Sequence, residues 1–138
     1  MIPKQVILVQ TSFAHVRSIA DVAAALFYKR LFELDPSLRV LFHGDMEEQG
    51  RKLMAMLSLV IRGLDRLELL VPAIQQLGGR HHGYGIRAEH YATVGAALIW
   101  TLGQGLGERF TPDVAAAWAS AYQLLSDTMQ ASAPIGRA

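Results

Sequence analysis

Apolar residues recur at three- and four-residue spacing along most of the chain, and the period-2 alternation of β-branched residues that marks strands is missing, so the pattern predicts helices. A first helix, about residues 3 to 17, carries Val6, Val9, Phe13 and Val16 on one stripe. Ser18 followed by Asp21 stands at cap spacing for a second, about 19 to 34, which turns Ala24, Tyr28, Leu31 and Phe32 inward. Asp35-Pro36 then supplies a cap and a first-turn proline for a short turn through Phe42. Asp45 with Glu48 opens a helix to about Arg62 whose inner stripe is Gln49, Leu53, Met56, Leu57 and Val60, and Gly63 ends it.

Asp65 and Glu68 start the next segment. Pro72 lacks an amide donor and clashes with the preceding turn, so two pieces are expected between about 66 and 82. Gly83-Tyr84-Gly85 stops that run, and a helix of about 88 to 102 follows, burying Tyr91, Val94, Gly95, Leu98 and Leu102. Gly103, Gly105 and Gly107 read as a linker to Thr111-Pro112, which caps a last helix burying Val114, Trp118, Ala121, Tyr122, Leu125 and Met129. No internal repeat is present, and the tail from about Ser132 is expected to fray.

A length of 138 residues fits one all-α domain, residues 1–138, with a sizeable core. Hydrophobic residues make up 51% and charged residues only 18%, which excludes a disordered chain and leaves apolar surface to spare for a ligand. Thirteen Lys and Arg against twelve Asp and Glu, scattered rather than clustered, argue against nucleic-acid partners. Without cysteine there is no disulfide, thiolate metal site or thioether-linked haem, so any metal must be held by His, carboxylate or Met. The N-terminal run Val6 to Val9 is too brief for a signal segment, and Ala92 to Leu102 is too short to span a bilayer, so a soluble cytoplasmic protein without membrane partners is expected.

Five histidines are present. His81 continues the stripe of Ile74 and Leu77, while His82 points about 100° away, so His81 faces the interior. On the residues alone, a core histidine bonded to backbone groups is the commoner outcome and a ligand role the alternative. His15, His43, His82 and His90 are placed at solvent or at helix ends. Tyr28 and Gln49 are polar groups on apolar stripes, and burying either without a partner costs about 1–3 kcal/mol. Either each bonds a backbone carbonyl, or both point at one bound ligand. No nucleophile arrangement stands out, and the two GxG pieces follow helices rather than strands, which excludes a dinucleotide fingerprint.

Taken together, these residues resemble a globin, most closely the single-domain bacterial haemoglobins and the haem domain of flavohaemoglobins. The resemblance runs from about Val6 to Met129. Leu26 to Phe32, then Asp35-Pro36, then Leu41-Phe42 look like the tyrosine-bearing second helix, the helix-opening proline and the haem-stacking phenylalanine. Gln49 with Leu53 is similar to the distal pair, and Arg80-His81, Gly85-Ile86, His90-Tyr91 and Val94-Gly95 to the segment of the proximal histidine.

The resemblance implies a globin fold whose helices sandwich one non-covalent haem b. His81 would be the iron ligand, and Tyr28 and Gln49 the distal groups facing O2, CO or NO. It also implies pocket walls from Phe42, Leu53, Met56, Leu57, Ile86, Tyr91 and Val94, with Lys52 or Arg80 toward the propionates. Reversible binding of O2 and other diatomic gases is the leading expectation. Nitric oxide dioxygenation with an external reductase, a haem-based gas sensor, and a globin-like helical module without haem are the alternatives. Relatives often carry a glutamate in the last helix, whereas Gln130 to Ala133 holds no acid, so a strongly basic proximal ligand is not implied here.

Overall fold

The computed structural model describes residues 1–42, 44–83 and 87–131; within 78–83 only the helical backbone and the side chain of Arg80 are described. Six α-helices run in order: α1 (Pro3–Arg17), α2 (Ala20–Leu34), α3 (Met46–Arg62), α4 (Val71–Gly83), α5 (Ala88–Leu106) and α6 (Pro112–Gln130). Short 3-10 turns, Pro36–Leu41, Leu64–Leu69 and Gly107–Arg109, join α2 to α3, α3 to α4 and α5 to α6. The expected all-α domain is the one observed.

The core forms where the predicted stripes meet. α2 lies against both α3 and α5, while α1 and α4 lie against α6. Val9, Leu31, Leu38 and Leu102 are the most completely buried large side chains, and each such aliphatic contributes about 1.5–3 kcal/mol by leaving water. The α1 face is buried as its spacing requires, with Val6, Val9, Phe13 and Val16 inside and Ser12 among them. Ser12 is satisfied on both sides: its Oγ donates to the Leu8 carbonyl at 2.7 Å and accepts the Trp118 indole N–H at 2.8 Å, joining α1 to α6. The α3 and α4 helices thus rest on different partners, α2 and α6 respectively.

Three local expectations are corrected. Ser18 does not cap α2: its hydroxyl donates backward to the His15 carbonyl at 2.6 Å, and Ile19 holds the N-cap position. The two pieces expected between about 66 and 82 are present, Leu64–Leu69 and α4, but Pro72 lies not in a helix interior but in the first turn of α4, where its missing N–H would have no helical acceptor. Gly103 and Gly105 are not linker: α5 continues through both to Leu106, with Phe110 and Ile19 packed beside them. Gly107 ends it with φ +56°, a conformation that L side chains rarely adopt. His90, expected at solvent or a helix end, lies in the first turn of α5 as expected and is buried there, its Nδ1 accepting the Arg87 amide at 2.9 Å.

Asp45 caps α3 through the Glu47 amide at 2.9 Å, Asp35 caps the following turn through the Ser37 amide, and Thr111 caps α6 through Val114 at 3.3 Å. The tail from 132 and position 43 lie outside the described residues. No described helix is long and apolar enough to cross a membrane.

Candidate functional site between α2 and α3

On α2, Ala24, Tyr28 and Leu31 are buried and Phe32 is half-buried, so one stripe faces α3 and α5. The approach of α2 to α3 is set by small residues: a Cβ added at Gly50 would stand 2.9 Å from the Ala24 Cβ. One turn after Ala24, the Tyr28 hydroxyl therefore reaches α3 and donates to the Gln49 main-chain carbonyl at 3.5 Å. Burial pushes the Tyr28 phenol up to about 12, and a hydrogen bond from the Gln49 side chain offsets only part of that rise. Tyr28 is consequently a neutral donor at any physiological pH.

Three phenylalanines hold the Tyr28 ring. Phe27 meets it edge-on at 5.0 Å between centroids and Phe42 edge-on at 5.4 Å, while Phe32 lies stacked at 6.1 Å. Phe32 and Phe42 also touch, at 5.6 Å, which closes a triangle of rings around one phenol. Phe42 arrives here because the turn Pro36–Leu41 folds the chain back after α2. Sequence reasoning placed Tyr28, Gln49 and Phe42 at one site, and the fold brings all three together. It placed Phe32 on the same inward stripe without giving it a part in the site, and it did not single out Gly50.

The other expected wall residues spread more widely. Leu53 and Leu57 line a small apolar cavity of about 20 Å³ with Phe27, Leu98 and Trp118. Met56 and Val94 are half-buried against the core, and Tyr91 is buried. Lys52 is exposed and lies 3.9 Å from Glu48, while Arg80 is exposed on α4. Position 81 falls within α4, but the His81 side chain lies outside the described residues, as does Ile86.

A second polar pair lies between α5 and α6. The Tyr122 hydroxyl donates to the Tyr91 carbonyl at 2.6 Å, and its ring occupies the space that a Cβ at Gly95 would need, 2.7 Å from Cε2. Burial raises both phenols above their ordinary range, and the neighbouring Tyr91 raises Tyr122 further. Both stay neutral.

Among the described residues no group of three or more His, Asp or Glu could hold a bare metal ion. The chemistry of the side chains present instead fits a flat, largely apolar cofactor. Phe42, Leu53, Met56, Leu77 and Val94 pack on the core and remain only partly buried, and the Tyr28 ring that Phe42 touches carries a neutral hydroxyl bonded to Gln49.

Known proteins resemble this arrangement. The sequence profile of the globin family matches residues 25–129. A flavohemoprotein of Chromobacterium violaceum is 37% identical over 106 residues, which is 75% of this chain and 26% of that protein. A flavohemoprotein of Bacillus subtilis is 28% identical over 127 residues, 90% of this chain and 32% of that protein. The chain thus spans a quarter to a third of the length of these relatives. Among solved structures, an engineered carbene transferase, RmaNOD of Rhodothermus marinus, named for a nitric oxide dioxygenase, superposes with a TM-score of 0.85. It is 27% identical, and the match covers 95% of this chain and 92% of that one.

Proposed function

The chain belongs to the globin family, and on that premise we propose that it holds one non-covalent haem b through His81 and binds O2, and also CO and NO, reversibly beside Tyr28 and Gln49. The haem would supply the iron that takes the gas; the protein supplies the donors, the walls and the exclusion of water. The observation that carries this reading is the meeting of Tyr28 with Gln49 across α2 and α3, with the Phe42 ring against that of Tyr28.

Three properties of that meeting suit a gas site. The Tyr28 hydroxyl is buried, so its dipole acts in a medium of low dielectric where a hydrogen bond to a polarised ligand is strong. Its bond to the Gln49 carbonyl is long against the usual 2.7–2.8 Å of such bonds, so the hydroxyl is re-aimed at a ligand with little loss. The amide of Gln49 is a second neutral donor and a poor iron ligand, which leaves the gas position open. Lys52 or Arg80 would face the propionates, and Met56, Ile86, Tyr91 and Val94 would be the remaining walls.

A second reading is favoured by the structural neighbour named for a nitric oxide dioxygenase and by the flavohemoprotein relatives. The same residues would then hold O2 for reaction with NO, with a separate reductase as electron donor.

Absorption spectra of the purified protein, before and after dithionite and then CO, test the proposal. Haem bands that become five-coordinate ferrous and shift sharply with CO are expected. A protein that purifies without haem and takes none up on titration would refute it. NO consumption driven by an added reductase separates the second reading from the first.

A further inference from the structure

The Tyr28 hydroxyl can act on a ligand only if its ring is held, and most of what holds it comes from side chains that touch no ligand in the proposed site. Phe27 and Phe42 meet the phenol edge-on, at 5.0 and 5.4 Å. These two rings stand steeply to the phenol, at 74° and 70°. The single near-parallel neighbour among the described rings is Phe32, at 6.1 Å and an interplanar angle of 27°. It stands one helical turn beyond Tyr28 on the same stripe of α2, so the pair is set by the helix itself and not by loop placement.

Phe32 is itself fixed from outside. The Arg39 guanidinium, carried by the turn Pro36–Leu41, lies 5.4 Å from the centre of the Phe32 ring, and Phe42 meets that ring at 66° and 5.6 Å. A cation placed over an aromatic ring is attracted to the negative face of its π-system. Among the described residues Arg39 forms no ion pair, so this ring is the partner its charge has. Since Phe32 is only half-buried, removing it would open a path for the phenol to swing away from Gln49 and for water to enter beside it.

We propose that Phe32 is a positioning residue for the gas site: stacked on Tyr28, touching Phe42 and covered by Arg39, it fixes the Tyr28 hydroxyl over the ligand position and so sets how strongly O2 is retained relative to CO. The proposal rests on the reading of Tyr28 as the distal donor given above. It assigns to Phe32 no contact with haem or gas.

The test compares haem-loaded wild type with Phe32→Leu, Phe32→Tyr, Arg39→Ala and Tyr28→Phe, measuring O2 and CO release by stopped flow and the C–O stretch of the CO complex by infrared. Phe32→Leu is expected to speed O2 release about three- to tenfold, part of the effect of Tyr28→Phe, with CO release changed less than about twofold. It should also add a second C–O band as the phenol populates more than one position. Phe32→Tyr keeps the ring and should restore wild-type behaviour, and Arg39→Ala, a surface change that keeps the core intact, should move O2 release in the same direction by a smaller factor. The proposal is overturned if Tyr28→Phe speeds O2 release while Phe32→Leu does not, or if Phe32→Leu accelerates O2 and CO equally, as general loosening would. If Tyr28→Phe itself leaves O2 release unchanged, the distal reading has failed and this inference fails with it.

Discussion

Gly50 and Ala24 let α2 and α3 touch: a Cβ on Gly50 would stand 2.9 Å from the Ala24 Cβ, closer than such atoms approach in proteins. Ala24 lies one turn before Tyr28, and Gly50 follows Gln49. The close contact is therefore what lets a phenol on one helix meet the backbone of the next.

Gly50→Ala is expected to push the helices apart by a few tenths of an ångström and to destabilise the protein by about 1–3 kcal/mol, the usual cost of overpacking. Chemical denaturation measures the loss. The same variant should weaken the Tyr28 contact, so its O2 release should also quicken; unchanged stability would show that the helices separate without strain.

A second expectation concerns the seam between α1 and α6. Trp118 donates its indole N–H to Ser12 Oγ at 2.8 Å inside the core. Ser12→Ala leaves that donor buried and unsatisfied, which costs about 1–3 kcal/mol. Ser12→Thr keeps the acceptor and should lose less, and equal denaturation midpoints for Ser12→Ala and wild type would show that the bond contributes nothing net.

The buried phenols predict how stability responds to alkali. Burial raises Tyr28 from the ordinary 10.0 to about 12, so between those values the unfolded chain releases a proton that the folded chain keeps. Stability is then fully present below pH 10 and falls as pH climbs toward 12. Tyr28→Phe and Tyr122→Phe should each flatten part of that fall, measured by denaturation at pH 9 to about 12. Below pH 9, O2 release should not depend on the ionisation of Tyr28, because the donor is protonated throughout.

For the iron ligand, His81→Ala should lose haem or change the ferrous spectrum, whereas His82→Ala should do neither. The motive is the stripe shared by Ile74, Leu77 and His81, of which Ile74 is buried and Leu77 half-buried on α4. Equal haem loss in both variants would show that the wrong neighbour was chosen.

The helices were legible because the stripes that define them are also the faces that pack, as with Val6, Val9, Phe13 and Val16 on α1. Tyr28 and Gln49 were legible for the opposite reason: they are polar where packing alone asks for apolar groups, so each needs a partner, and the Tyr28 hydroxyl finds one in the Gln49 carbonyl. What was not legible depends on partners far apart in sequence. Ser18 looked like a cap because its spacing from Asp21 is right, but the same hydroxyl bonds backward once α1 is formed. Gly103 and Gly105 looked like linker because glycine weakens helices, yet Phe110 and Ile19 pack beside them and α5 runs on. His90 was expected at solvent or a helix end and lies at one, but its bond to the Arg87 amide and its burial were not visible in the spacing. The stacking of Phe32 on Tyr28 was visible as a spacing, but its role needed Arg39 and Phe42, which arrive from the following turn and loop.

The central claim is that Tyr28 and Gln49 retain O2, and stopped-flow release of O2 from the haem-loaded protein tests it most directly. O2 draws electron density when held and accepts hydrogen bonds strongly, whereas CO accepts them weakly. A donor of this kind in a buried site is worth about 1.5–3 kcal/mol, or roughly ten- to a hundredfold in rate. Tyr28→Phe and Gln49→Leu should therefore each speed O2 release by about that factor with a smaller effect on CO, and the double variant should fall short of the product because both donors serve one ligand. Unchanged O2 release in both single variants would contradict the account and leave Tyr28 and Gln49 as core polar groups satisfied by each other.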